Sequence, residues 1–178
     1  YEGLAARFDE VNGGFGSAPK FPTPYTLIFL LRFWKRTGTR HALAMVEKTL
    51  REMRIGGICD QIGGGFHRYS TDSRWLVPHF EKMLYDQALL VMAYTEAYQA
   101  THDPQFRKTA EEIIAYVIRD LSSPGGAFFS AEDADSDGIE GAFYLWTMHE
   151  VEEILGKDDA ALAARFFKRL TLASVGIF

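Results

Sequence analysis

The stretch that decides the fold runs from Phe80 to Leu121: FEKMLYDQALLVMAYTEAYQATHDPQFRKTAEEIIAYVIRDL. Its first half is apolar almost all round. Its second half places Phe106, Ala110, Ile113, Ile114, Val117 and Leu121 on one face at helical spacing. A helix apolar on every side must be enclosed by other elements, whereas a striped helix covers a core from outside. The stretch therefore predicts an inner helix from Pro78 to Thr101, with Pro78 in its first turn, followed by an amphipathic outer helix.

Outward from it, the same pair recurs. Pro24 to Lys35, PYTLIFLLRFWK, is apolar on nearly every side, and Ala42, Leu43, Val46, Leu50 and Met53 then fall on one stripe. Glycine-rich, aromatic stretches accompany the pairs: GGFGSAPKFPTP at Gly13, GGICDQIGGGFHRYS at Gly56 and GGAFFSAEDADSDGIEGAFYLW at Gly125. They mark a repeat of roughly 50 to 60 residues, longer than the common solenoid periods. Glycines at turns with aromatics between them predict short β-hairpins at the helix ends. Stacked αα-hairpins with inner helices facing a common axis, and functional loops at one end, satisfy the pattern. Thr147 to Leu155 and Asp159 to Leu170 would begin a third pair. A closed ring would need more pairs than residues 1–178 supply, so a single partial toroid domain is expected.

Composition bounds the function. A chain of 178 residues with 47% hydrophobic content can bury a core. The net charge of -5 with dispersed basic residues excludes the clustered cationic footprint of a nucleic-acid binder. The densest apolar run, Met83 to Tyr98, is interrupted by Asp86, Gln87 and Glu96 and is too short and polar to span a bilayer. One cysteine, Cys59, excludes a disulfide framework and a CxxC site and fits a reducing, cytoplasmic compartment. With no basic neighbour adjacent to it, Cys59 reads as a small buried residue. A start at Tyr1 and an end at LASVGIF are expected of a domain cut from a longer protein.

Three motifs, GGFGSAPKFPTP, DQIGGGFHRYSTDSRWLVPHFEKMLYDQALL and SAEDADSDG followed by EGAFYLWT, resemble in order and spacing the spermatogenesis-associated protein 20 family, also described as YyaL-like proteins. The resemblance covers Gly13 to Gly156 and fades beyond. It implies a thioredoxin-like domain outside this chain, followed by an (α/α)6 toroid of the six-hairpin glycosidase type. That architecture is shared with glycoside hydrolases and N-acylglucosamine 2-epimerases. The expected class is thus all-α with short β-hairpins, and fold analogy supplies no reaction.

The candidate chemistry sits in the loops. On a helix from Pro78, His79, Lys82 and Asp86 share a face at i, i+3 and i+7 and would line the mouth of the ring. The plainer alternative is an exposed first turn, with Glu81 on the helix dipole and Lys82 paired to Asp86. In FHRYS, an extended chain puts His67 and Tyr69 on one side and Arg68 on the other. Sugar sites combine aromatic platforms with planar donors and carboxylates, a vocabulary that His67, Tyr69, Arg74, Trp75 and Tyr85 fit. A His pair also suits proton abstraction beside a carbonyl, as an epimerase needs. A lone His is more often a hydrogen-bonded core residue than a catalyst, and either His is readable that way.

SAEDADSDG supplies Glu132, Asp133, Asp135 and Asp137. Two facing carboxylates would serve glycoside hydrolysis. Asp133, Asp135, Asp137 and Gly138 also match the start of a calcium loop, but Tyr144 stands where its bidentate Glu belongs. A solvated turn at Asp137-Gly138 is the remaining reading. Lys20, held between prolines, is placed to meet a ligand or to form a structural salt bridge.

The candidate catalytic set is therefore His67, His79, Asp86 and Asp133, and the candidate binding set Lys20, Arg68, Tyr69, Trp75, Glu81, Lys82, Tyr85 and Asp135. No cofactor or metal is assigned. The expected function is hydrolysis or isomerisation of a sugar ligand. The rival is a noncatalytic binding or scaffold module partnering the thioredoxin-like domain. Two structural expectations follow: at least one of Gly63, Gly64 and Gly65 has positive φ or no room for a Cβ, and uncovered inner-helix surface drives self-association.

Overall fold

The computed structural model describes residues 1–170, with side-chain surroundings through Arg165; the tail LASVGIF lies outside the described residues. A one-turn helix α1 (Glu2–Ala5) precedes two long helices, α2 (Pro24–Thr37) and α3 (Arg40–Ile55). Three short strands follow: β1 (Tyr69–Ser70), β2 (Pro78–His79) and β3 (Lys82–Met83). Helices α4 (Leu84–Thr101) and α5 (Pro104–Asp120) come next, then β4 (Ala131–Glu132), β5 (Asp135–Ser136) and β6 (Ile139–Glu140), and finally α6 (Met148–Leu155) and α7 (Lys157–Leu170).

Helix ends follow local chemistry. Pro24 and Pro104 occupy first turns, where a missing N–H costs nothing. Asp103 Oδ1 accepts from the Gln105 amide, and Thr147 and Glu150 close a capping box on α6. Gly38 ends α2 in the left-handed conformation.

The helices pair as α2 with α3, α4 with α5 and α6 with α7, and α2 packs directly on α4. Between α2 and α3 the core holds Leu27, Leu30, Leu31, Ala42, Met45, Val46, Leu50 and Met53; between α4 and α5 it holds Leu90, Ala93, Tyr94, Phe106, Ala110 and Ile113. The outer stripes are close to those predicted, with Thr49, Thr109 and Tyr116 also buried, Leu43 and Val117 at the margin and Ile114 exposed. The inner helices α2 and α4 are not buried all round. Tyr25 and Phe29 on α2, and Tyr85 and Met92 on α4, are exposed on the side away from α3 and α5.

One boundary differs from the sequence expectation. Residues 78–79 and 82–83 form two short strands with a bend at Phe80 between them, and α4 begins at Leu84. Their backbone groups are taken by neighbouring strands: β2 pairs antiparallel with β1, and β3 with β4, in register Lys82 to Glu132. Ladder bonds between segments distant in sequence outweigh the helical period there. His79, Lys82 and Asp86 consequently do not share a helical face, and Lys82 does not pair with Asp86.

The three loops form one layer at the N-terminal ends of α2 and α4. Lys20 bridges to Ser70, and β3 bridges to β4. Asp137 and Gly138, both at positive φ, make the two-residue turn between β5 and β6. Gly65, at φ +77°, lies against the Tyr116 ring, where a Cβ would come within 2.5 Å; it meets both conditions expected of the glycine run.

Candidate functional site

The chain bends at Phe80 between β2 and β3, and the loop layer has two chemically distinct sides. On one, Lys82 is buried. Its Nζ donates to Asp60 Oδ2 at 2.8 Å and to the Gly64 carbonyl at 2.9 Å, and it lies 4.5 Å from the Tyr116 ring centroid and 4.9 Å from that of Tyr144. Both phenols donate to Glu132, each at 2.6 Å. Burial alone would raise the Asp60 carboxyl, but the Lys82 charge and the Gly63 and Ile62 amides hold it below its ordinary value. His67 stands on this side, its Nδ1 3.1 Å from the Phe80 carbonyl and its ring edge-on to Phe80 and Tyr144. Burial, helped by the Lys82 charge, pushes His67 down to about 3, so its imidazole is neutral at ordinary pH and forms part of the packing.

The other side opens at the mouth of the helical layer. His79 Nδ1 lies 2.6 Å from Glu140 Oε1, and its Nε2 lies 3.8 Å from Glu81 Oε2. Glu81 also accepts from Arg68 at 2.8 Å. Tyr69 stacks on the His79 ring at 4.9 Å and lies beside Phe21 at 4.8 Å. Tyr85 is half-exposed. Asp86, in the first turn of α4, is buried yet makes no side-chain hydrogen bond among the described residues. Desolvation raises its pKa to about 6, with Arg68 opposing and the Glu81 charge adding to the rise.

The layer thus brings together His79, Asp86, Arg68, Tyr69, Glu81 and Tyr85, and sets His67 and Lys82 behind them. Asp133 is exposed and accepts from the Asp135 amide at 3.1 Å; continuing the β3–β4 register by one residue places it opposite Glu81. Asp135 is exposed in the β5–β6 hairpin. Lys20 takes the salt-bridge alternative. Its buried Nζ donates to Asp9 at 2.7 Å and to the Gly13 and Ser73 carbonyls. Trp75 is wholly buried, its indole N–H donating to the Asn12 carbonyl at 2.9 Å, so its ring presents no open face to a sugar. Cys59 is buried as expected and its thiol is pushed up to about 12 by desolvation, although Arg54 Nη1 lies 3.7 Å from the sulfur.

Sequence reasoning missed Glu140, Asp60 and Phe21. Glu140 reaches His79 only because the β5–β6 hairpin returns over the mouth. Asp60 carried a usable signal, since an Asp followed by Ile-Gly-Gly-Gly predicts a side chain accepting its own turn's amides.

No protein-family model matches the chain. The chain is homologous to human spermatogenesis-associated protein 20: the two are 49% identical over 166 residues, covering 87% of this chain and 21% of that protein. It therefore spans about a fifth of the length of that relative. Among solved structures, a sugar epimerase from a ruminal bacterium superposes with a TM-score of 0.66 at 16% identity, covering 93% of this chain and 49% of the other. A family 76 glycoside hydrolase from a bovine Bacteroides thetaiotaomicron strain gives 0.56 at 12% identity, covering 85% and 34%. The fold is that of a partial six-hairpin, glycosidase-like (α/α)6 toroid. Among the described residues, no helix is long and apolar enough to cross a membrane.

Proposed function

We propose that this homologue of spermatogenesis-associated protein 20 binds a sugar at the mouth of its helical layer and transfers protons on it. The observation that carries the reading is Asp86. Its side chain is largely buried and accepts no protein hydrogen bond among the described residues, its oxygens remain reachable by solvent, and desolvation raises it to about 6, the poise a general acid needs. It stands beside the Arg68–Glu81 pair, whose planar charges suit vicinal hydroxyls, and beside aromatic rings that suit the apolar face of a pyranose.

His79 is the partner base. A carboxylate on Nδ1 fixes the tautomer and supports the imidazolium that forms when Nε2 takes a proton. Glu81 is engaged by Arg68, Glu140 by His79 and one Asp133 oxygen by the Asp135 amide, so the imidazole is the partner that Asp86 works with in this reading. That pairing favours proton abstraction beside a carbonyl, as in epimerisation, over hydrolysis by two carboxylates.

The test is a panel of reducing sugars in D2O. Deuterium incorporation beside the carbonyl, lost in Asp86→Asn and His79→Ala while binding persists, supports the reading. Release of new reducing ends in its place identifies hydrolysis. A folded protein that binds none of the sugars leaves the noncatalytic scaffold.

A further inference from the structure

The β5–β6 hairpin stands over the mouth, and it is attached differently from its counterpart in the second glycine-rich loop. The second and third loops share a plan. Phe66 bridges to Cys59 and Phe128 to Ser122; further on, Ser70 meets Lys20 and Glu132 meets Lys82. Beyond that point the second loop is pinned. Its turn, residues 71–77, buries Trp75 completely and folds around Asp72, whose carboxylate accepts from the Arg74, Leu76 and Val77 amides. The third loop carries no such anchor in its turn among the described residues: Asp137 and Gly138 are exposed, and Ile139 beside them is 64% exposed.

By itself this ribbon is weak. Two strands of two residues do not hold together alone in water, and the register sets Asp135 directly opposite Glu140, like charges that repel across the pair. Its base is fixed. Ala134 is buried and its carbonyl accepts from the Gly141 amide at 2.9 Å, and Gly141, at φ +75°, lies where a Cβ would come within 2.6 Å of the Phe80 ring. Its far part is tied to another element by one side-chain hydrogen bond among the described residues, the 2.6 Å contact between Glu140 and His79 Nδ1. His79 belongs to the floor of the mouth, paired through β2 to β1 and stacked on Tyr69. The contact that holds the ribbon down is therefore the one that orients the proposed base.

Resting on the sugar reading above, we infer that the β5–β6 hairpin is a lid that arms the site: closed, it delivers Glu140 to His79 and fixes the imidazole; lifted about Ala134 and Gly141, it opens the mouth and releases the base. Glu140 is then a positioning residue that acts on the sugar only through His79. Two measurements on the chain without ligand test the lid. In hydrogen exchange, the amides of residues 135–141 exchange faster than those of residues 71–77, and Glu140→Ala or His79→Asn speeds them a further three- to fivefold or so, about the worth of a half-exposed charged pair, while helices α2 to α5 keep their rates. In 15N NMR, the neutral His79 imidazole carries its proton on Nδ1 in the wild type and becomes a mixture of tautomers in Glu140→Ala. On a reducing sugar in D2O, Glu140→Ala lowers kcat about tenfold or more with a smaller change in KM, and Glu140→Gln, which keeps an acceptor for Nδ1–H, recovers part of both the tautomer and kcat. A hairpin that exchanges no faster than residues 71–77, or an exchange rate and tautomer that Glu140→Ala leaves unchanged, would overturn the inference and leave the sugar site standing. Absence of turnover on every sugar would remove the sugar reading, and the exchange and tautomer measurements would still decide the lid.

Discussion

Replacing Lys82 with Met should be among the most damaging single changes in the loop layer. Lys82 is buried, with a side-chain exposure of 2%, and its partner Asp60 is 11% exposed. Removing the ammonium strands the Asp60 charge with only the Ile62 and Gly63 amides, leaves the Gly64 carbonyl without its lysine donor, and forfeits two cation–π contacts. Breaking one side of a buried pair costs about 3–5 kcal/mol, out of a total stability of about 5–15 kcal/mol. With a urea slope of about 2 kcal/mol per molar, the unfolding midpoint should fall by roughly 2 M. The decisive comparison adds Asp60→Asn, which keeps an oxygen for the two amides and removes the stranded charge. Lys82→Met with Asp60→Asn should recover more than half of the loss. A single variant within 1 kcal/mol of the wild type, or a double variant no more stable than the single one, would refute the view that an uncompensated charge dominates. The pH dependence has a fixed sign. Asp60 is depressed in the fold, so its pair contributes fully above the ordinary carboxylate value of about 3.9, and that contribution is lost as pH falls through the depressed value.

Asp86 should behave in the opposite way. Its carboxyl is raised to about 6, so the folded chain binds the extra proton and loses stability as pH rises from about 4 to 6. Asp86→Asn should remove that loss and stabilise the chain at pH 7 by on the order of 1 kcal/mol, once solvent screening reduces the full shift; a variant less stable than wild type at pH 7 would count against a strained acid. His67, held neutral down to about 3, should show no imidazole titration by NMR between pH 5 and 8, and its contribution to stability should decline as pH falls below its ordinary value of about 6.5. A His67 titrating near 6.5 in the folded protein would place it in solvent instead. Gly65→Ala should cost more than Gly64→Ala. Both strain a positive φ by about 1 kcal/mol, but at Gly65 the new Cβ also meets a Tyr116 ring pinned through Glu132, and equal losses in urea unfolding would refute the steric part.

The sequence by itself determined the helices and their order. Periodicity separated the inner from the outer helices, because a hydrophobic stripe is a local property that any core must match, and Phe106, Ala110 and Ile113 stand buried where their spacing put them. The glycine-rich loops and the aromatic and acidic inventory of the mouth were legible for the same reason. Tertiary structure decided which side each polar residue serves. Residues 78–83 carry a sequence compatible with a helix, but strands from Tyr69 and Ala131 claim their backbone. That choice turns Lys82 inward to Asp60 while Glu81 stays at the mouth. Neighbours in sequence are thereby sent to opposite faces, and His67 and Trp75 are withdrawn into the packing. The pairing of His79 with Glu140 spans 61 residues, and it exists only because a two-residue turn at Asp137 and Gly138 folds the third loop back over the second. No local pattern encodes a contact between two loops; closure of the layer brings the two side chains within bonding distance.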